Sequence, residues 1–248
     1  MSANYSLLCY TREATGREEA NNEDIAYSMH LALRSGDDAE WQPLNENYGI
    51  FFAAGVPIAA ATAESRRACT ASARFADDPF DAPRPATDAV AHGVVMPGMD
   101  ITLKSLKDPF LFRLADGRFA VAATRTARGG DPDGSERSAF LLAISDDLTA
   151  FDQLGLVLLR TVGGVNRPSV AFDAVDKRYV VSWTGDDGKA YTARTADIVA
   201  AAGSGAPLDV EESAESLPQR QSGDCGIPNA VIGNSIAISE AEAERLME

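Results

Sequence analysis

The feature that most constrains this chain is its punctuation. Short apolar or alternating runs stand at 5–10, 25–33, 110–114, 119–124, 139–145, 154–159, 169–172, 179–183 and 189–194. Polar turn formers separate them, including Ala115-Asp116-Gly117, Asp146-Asp147, Asp173 through Lys177, and Asp186-Asp187-Gly188. Asp and Gly tolerate the positive φ that tight reversals demand, so each break predicts a hairpin between antiparallel strands. The expected fold is all-β. Helical patterning appears only at the end, where Ser239 with Glu242 three residues on forms a capping-box pattern before Ala243-Glu244-Arg245-Leu246.

The strands recur in sets. Residues 108–112, a turn at Asp116-Gly117, then 119–124 and the run AFLLAISDDLTAFDQLG make one unit; 167–172 followed by RYVVSWTGDDGKAYTARTADI make a second. At the start, SLLCYTRE and then DIAYSMHLALRSGDDAEWQPL read as a third. Meanders repeating every 40–50 residues, roughly, are the signature of propeller blades, and 248 residues hold about five. The expectation is a single β-propeller-like domain over 1–248, of five-bladed type with incomplete or degenerate blades, plus a short C-terminal helix. Two segments fit no blade, the Pro- and Ala-rich 53–98 and the polar 203–226, and both read as long loops. A helix directly after the last strand leaves room for a downstream domain, with this chain as the N-terminal module of a larger protein.

Charge narrows the partners. Lys and Arg number 22 against 37 Asp and Glu, a net charge of -15. Such a surface repels phosphate backbones and anionic headgroups, which argues against nucleic-acid and membrane roles and leaves neutral or cationic ligands, sugars among them. Cys9, Cys69 and Cys225 stand far apart and His30 and His92 are the only histidines. This pattern predicts neither a disulfide framework nor a metal cluster. The start, MSANYSLLCYTRE, has no basic region followed by a long apolar core. The expected location is therefore cytoplasmic as the sequence stands, or extracellular if it is cut from a larger secreted enzyme.

Taken in order, the motifs resemble a known family. Leu106-Lys107-Asp108-Pro109-Phe110-Leu111-Phe112, followed by Asp116-Gly117-Arg118-Phe119, resembles the blade opening of glycoside hydrolase family 43, five-bladed propeller enzymes acting on arabinan and xylan. Ser145 through Phe151 is similar to that family's outer strand and turn. Asn166-Arg167-Pro168-Ser169 and the strand pair after it are similar to its Trp-Ala-Pro-Glu blade, and GIPNAVIGNSIAISEAEAERL to its closing segment. The likeness covers about two thirds of the chain. It implies three central acids: a general base, an aspartate tuning it, and a general-acid glutamate. Asp108 matches the position of the base. Where the family has the Glu of Trp-Ala-Pro-Glu this chain has Ser169, and where the closing segment carries His it has Asn229 and Ala230. The resemblance also brings the possibility of Ca²⁺ in the channel; otherwise no cofactor is expected.

Glycoside hydrolysis needs two carboxyl groups, one protonated and one ionised, across the scissile bond. Asp108 is the one matched acid. Asp24, before an apolar run, is a second candidate, and Asp100 lies in the right neighbourhood. Both also fit an ordinary turn or solvated loop. Arg167, Ser169, His30, Trp41 and Arg125 are candidate sugar contacts, with Arg113 alongside; core packing of His30 and structural pairing of the arginines are the alternatives. No phosphate-binding glycine loop or nucleophile elbow is present. The expected function is a carbohydrate-active accessory or degenerate module for arabinose- or xylose-containing plant glycans. A working arabinofuranosidase or xylosidase using Asp108 as base, and a propeller-based assembly or homo-oligomerisation module, are the alternatives.

Overall fold

The computed structural model describes residues 5–14, 23–36, 39–55, 104–161, 163–213 and 225–247. In chain order these form β1 (Tyr5–Arg12), α1 (Glu23–Ala26), β2 (His30–Ser35), β3 (Gln42–Pro43), β4 (Ser105–Arg113), β5 (Phe119–Thr126), β6 (Ala139–Ser145), β7 (Asp152–Leu158), β8 (Asn166–Asp173), β9 (Arg178–Thr184), β10 (Ala190–Thr195), α2 (Ile198–Ala201), β11 (Val210–Glu212), β12 (Ala230–Ile238) and α3 (Glu240–Met247). The protein is nearly all-β, as its punctuation predicts. Among the described residues no helix is long and apolar enough to cross a membrane.

Three four-stranded antiparallel sheets result. Blade II runs β4-β5-β6-β7 and blade III runs β8-β9-β10-β11, each a simple meander. Blade I runs β12-β1-β2-β3, so the last strand supplies its inner position and pairs Tyr5 with Ile238 through Arg12 with Ala230. The inner strands β12, β4 and β8 pack side by side in that order, while β8 and β12 share no comparable contact. The described blades thus form an open fan, not a closed ring.

Blade II sits between the other two, and period-2 alternation shows it. Phe119, Val121 and Ala123 of β5, with Leu141 and Ala143 of β6, face blade I and pack with Leu7, Cys9, Leu31 and Leu33. Ala120 and Ala122, with Phe140 and Leu142, face blade III and meet Val170, Val181 and Trp183. Both faces are dry, so these strands read as continuous apolar runs rather than alternating ones. Each large side chain removed from water here contributes about 1.5–3 kcal/mol.

Three details depart from the sequence expectation. The run 25–33 is not one strand: Ser28 Oγ and N–H both donate to the Ile25 carbonyl, at 2.5 and 3.2 Å, which closes a turn after α1 and delays the strand to His30. Within 203–226, β11 adds a fourth strand to blade III, pairing Ala193 with Val210 and Tyr191 with Glu212. Ala53 and Ala54, at the start of the other expected loop, are buried. Residues 56–103, which include Cys69, His92 and Asp100, and residues 214–224 lie outside the described set.

The C-terminal capping box is present. Ser239 N–H donates to Glu242 Oε2 at 2.7 Å, and Glu242 N–H to Ser239 Oγ at 3.3 Å. Arg113 clasps Glu242 through both guanidinium nitrogens at 3.2 and 2.9 Å, fastening α3 to blade II.

Candidate functional site

The three inner strands begin at one end of the fan. Register places Arg12 beside Ala230, Thr126 beside Ser105 and Thr184 beside Asn166. The connections β1–β2, β5–β6 and β9–β10 therefore gather at that rim with the starts of β12, β4 and β8.

Every inner strand breaks register near the rim. On β4 the shift lies between Lys107 and Phe110; on β8 it lies between Asn166 and Ser169. On β12 it falls opposite Cys9 and Tyr10, which pair with Asn234 and Ile232 and pass over Gly233. Bulges bend a strand and re-aim its side chains. In β4 and β8 the bulge holds a residue just before proline in left-handed conformation, Asp108 at φ 53° and Arg167 at φ 54°. A side chain there costs on the order of 1–2 kcal/mol, and strain of this kind collects at functional sites.

The two side chains meet. Arg167 Nε lies 3.8 Å from Asp108 Oδ1, with the aspartate 22% and the arginine 67% exposed. Beside them, Leu106 N–H donates to the Tyr27 carbonyl at 2.9 Å, and Lys107 Nζ stands 5.4 Å from the centre of the Tyr27 ring. These contacts bring α1, and with it the backbone of Asp24, to the same end as Asp108; the Asp24 side chain lies outside the described set.

The remaining candidates divide by environment. Ser169 is buried below the rim and donates to the Ser182 carbonyl at 3.2 Å. Arg125 is buried and grips Glu136 from Nε and Nη2, both at 2.6 Å, while Nη1 donates to the Ala54 carbonyl at 2.6 Å. Gln153 joins that knot, exchanging hydrogen bonds of 2.7 and 2.9 Å with the Ala54 backbone. His30 is 0% exposed; Nε2–H donates to the Ile25 carbonyl at 2.8 Å, the ring stacks on Tyr10, and Nδ1 has no hydrogen-bond partner among the described residues. Its position is that of a packed strand histidine, and burial pulls its pKa down from 6.5 to about 4. Trp41 is half-buried beneath Arg34, whose guanidinium carbon sits 4.5 Å from the ring centre. It packs around Leu8, Tyr10, Ala32 and Ile227, away from Asp108. Arg113 is engaged by Glu242 at the α3 clasp.

Two other rim carboxylates are lowered by cations. The Lys104 ammonium, helped by Ser135, draws Asp133 down to about 2. Arg137, then Asn166 and the Gly164 N–H, lower Asp186, with Arg137 Nε at 2.8 Å and Gly164 N at 2.7 Å. Asp186 was legible only as a turn residue, yet it ties Arg137, from the β5–β6 connection, to the start of β8. Lys107 was not singled out either; its only signal is adjacency to Asp108. Among the described residues no group of three or more His, Cys, Asp or Glu could hold a metal ion.

No protein-family model matches the chain, and no curated protein matches it. Among solved structures it is similar to the crystal structure of an exo-beta-1,3-galactanase from Phanerochaete chrysosporium with beta-1,3-galactotriose. The identity is 8% and the TM-score 0.41, over 83% of this chain and 38% of that one.

Proposed function

We propose that the chain is a carbohydrate-binding module of glycosidase-like build whose site is the rim around Asp108, and that it is accessory rather than a complete catalyst. The observation that carries this reading is the pairing of Asp108 with Arg167 at matching bulges of two adjacent inner strands. An aspartate and an arginine side by side offer acceptors and donors together, the complement of a sugar's vicinal hydroxyls. The likeness of the blade motifs to family 43 supports the same class of ligand, with arabinose- or xylose-containing plant glycans as the first candidates.

Hydrolysis asks for more. A general acid must hold its proton near neutral pH, which takes a raised pKa. Asp133 and Asp186 are both lowered by their cations, and Glu136 is held in two hydrogen bonds by Arg125. Ser169 stands where the family's acid would be and is engaged by a backbone carbonyl.

Calorimetric titration with arabino-, xylo- and galacto-oligosaccharides, run beside release of nitrophenol from the matching glycosides, tests the reading. Saturable heat that falls at least severalfold in Asp108→Asn, without turnover, is the expected result. Turnover abolished by Asp108→Asn would replace the accessory reading with the enzyme reading. Absence of binding across the panel would overturn the carbohydrate reading itself.

A further inference from the structure

Three cations at the Asp108 rim are saturated by carboxylates. Lys104 pairs with Asp133, Arg125 with Glu136, and Arg137 with Asp186. Two are not. Lys107 makes no ion pair with any described carboxylate; its ammonium lies against the Tyr27 ring, and Gly130 packs so near that a Cβ there would meet Lys107 Cε at 2.9 Å. Arg167 Nε lies 3.8 Å from Asp108, beyond hydrogen-bond distance, and its terminal nitrogens donate no hydrogen bond among the described residues. In a chain with 37 acidic and 22 basic residues, open cations are unexpected. These two flank the same aspartate, one as its chain neighbour and one across the inter-blade gap.

We infer that this rim takes a glycan bearing a carboxylate, a uronic acid, rather than a wholly neutral one; the inference rests on the carbohydrate reading above. The planar fork of Arg167 matches a carboxylate with two parallel N–H donors, and its exposure leaves that fork open to solvent. Lys107, one residue before Asp108 on the same strand, adds a second positive charge to the rim, its ammonium held against the Tyr27 ring. Asp108 then accepts from ring hydroxyls while its own charge disfavours an anion on its side, so the acid group is directed toward Arg167.

Calorimetry with galacturonic-acid oligosaccharides and with neutral galactose oligosaccharides of equal length tests this. The acidic ligand is expected to bind about tenfold or more tightly, the worth of one charge-assisted bidentate pair. Arg167→Gln should abolish the preference, weakening the acidic ligand about tenfold more than the neutral one, which loses only a hydroxyl contact. Arg167→Lys, which keeps charge but loses the fork, should forfeit most of the preference, and thermal melts of both variants establish that they are folded. Lys107→Gln should weaken the acidic ligand severalfold, whereas Lys189→Gln, paired with Glu212 at the β10–β11 edge, should change nothing. Equal binding of the two ligands, or a preference that survives in folded Arg167→Gln, overturns the inference and leaves the carbohydrate reading standing. Failure of both ligands to bind overturns both.

Discussion

Asp108 and Arg167 hold the same place in two successive inner strands: each precedes a proline, each is left-handed, and their side chains face each other at 3.8 Å. The geometry separates two contributions of Asp108. A partly exposed pair at that distance adds little stability, so a double-mutant cycle with Asp108→Asn and Arg167→Gln should give a coupling below about 1 kcal/mol. Backbone strain is the larger effect. Asn accepts φ 53° readily and a β-branched residue does not, so urea unfolding should find Asp108→Val less stable than Asp108→Asn by at least about 1 kcal/mol. Equal stabilities would mean that the bulge relaxes when its aspartate is lost.

At Gly233 blades I and II come into close backbone contact. A Cβ there would run into the Pro109 carbonyl oxygen and come within 2.9 Å of the Cys9 carbonyl. Both obstacles are backbone and cannot rotate aside. Gly233→Ala should therefore cost about 3 kcal/mol or more by chemical denaturation, above the usual loss for one added methyl. Asn234→Ala next to it removes two hydrogen bonds to the Leu111 backbone, 2.7 and 2.8 Å, and should cost about 2 kcal/mol.

The buried Arg125–Glu136 pair makes a different prediction. Arg125→Leu leaves a largely buried carboxylate with only Lys104 at 3.9 Å and removes one of the two donors to the Ala54 carbonyl, a loss of roughly 3 kcal/mol. Adding Glu136→Leu should recover much of that loss, because no charge then remains uncompensated. A double variant no better than the single one would show that packing around Arg125, not charge, holds the rim.

His30 sets a pH window. Its pKa in the folded chain is about 4, against 6.5 when unfolded, so unfolding takes up a proton between those values. Stability from this group is complete above pH 6.5 and falls as the pH drops toward 4, with a slope of up to about 1.4 kcal/mol per unit for one proton. The lowered carboxyls of Asp133 and Glu242 add acid sensitivity only near and below the ordinary carboxylate range. Measured unfolding free energies between pH 5 and 6.5 should thus slope in the native chain and flatten in His30→Gln.

The hairpins were legible because they are local. Gly117, at φ 92°, and Gly188, at φ 77°, sit in the Asp-Gly turns that the chain announces. The apolar runs of β5 and β6 were recognisable as strands, although only the fan explains why they do not alternate. Nothing local marks β11, whose Val210-Glu211-Glu212 lacks apolar patterning and is ordered by pairing with β10. The turn after α1 was misjudged because Ile25-Ala26-Tyr27 is as apolar as a strand, and two bonds from Ser28 decide otherwise. At the site, Asp108 and Arg167 could each be picked out from an X-Pro strand opening. Their meeting could not, since it depends on neighbouring blades packing side by side. Core packing of His30 was one of the readings open from its strand pattern, and it holds; the burial of Arg125 was not legible, because in sequence a charged residue in a strand looks alike whether it faces solvent or a partner.

The pairing of β12 with β1 also orders events during synthesis. Blades II and III are built from contiguous stretches and can assemble while the ribosome is still at work. Blade I cannot, because its inner strand is translated after the strands of blades II and III. Until that strand emerges, Leu7 and Cys9 stand beside an unfilled edge, and the nascent chain is most open to mispairing during this wait.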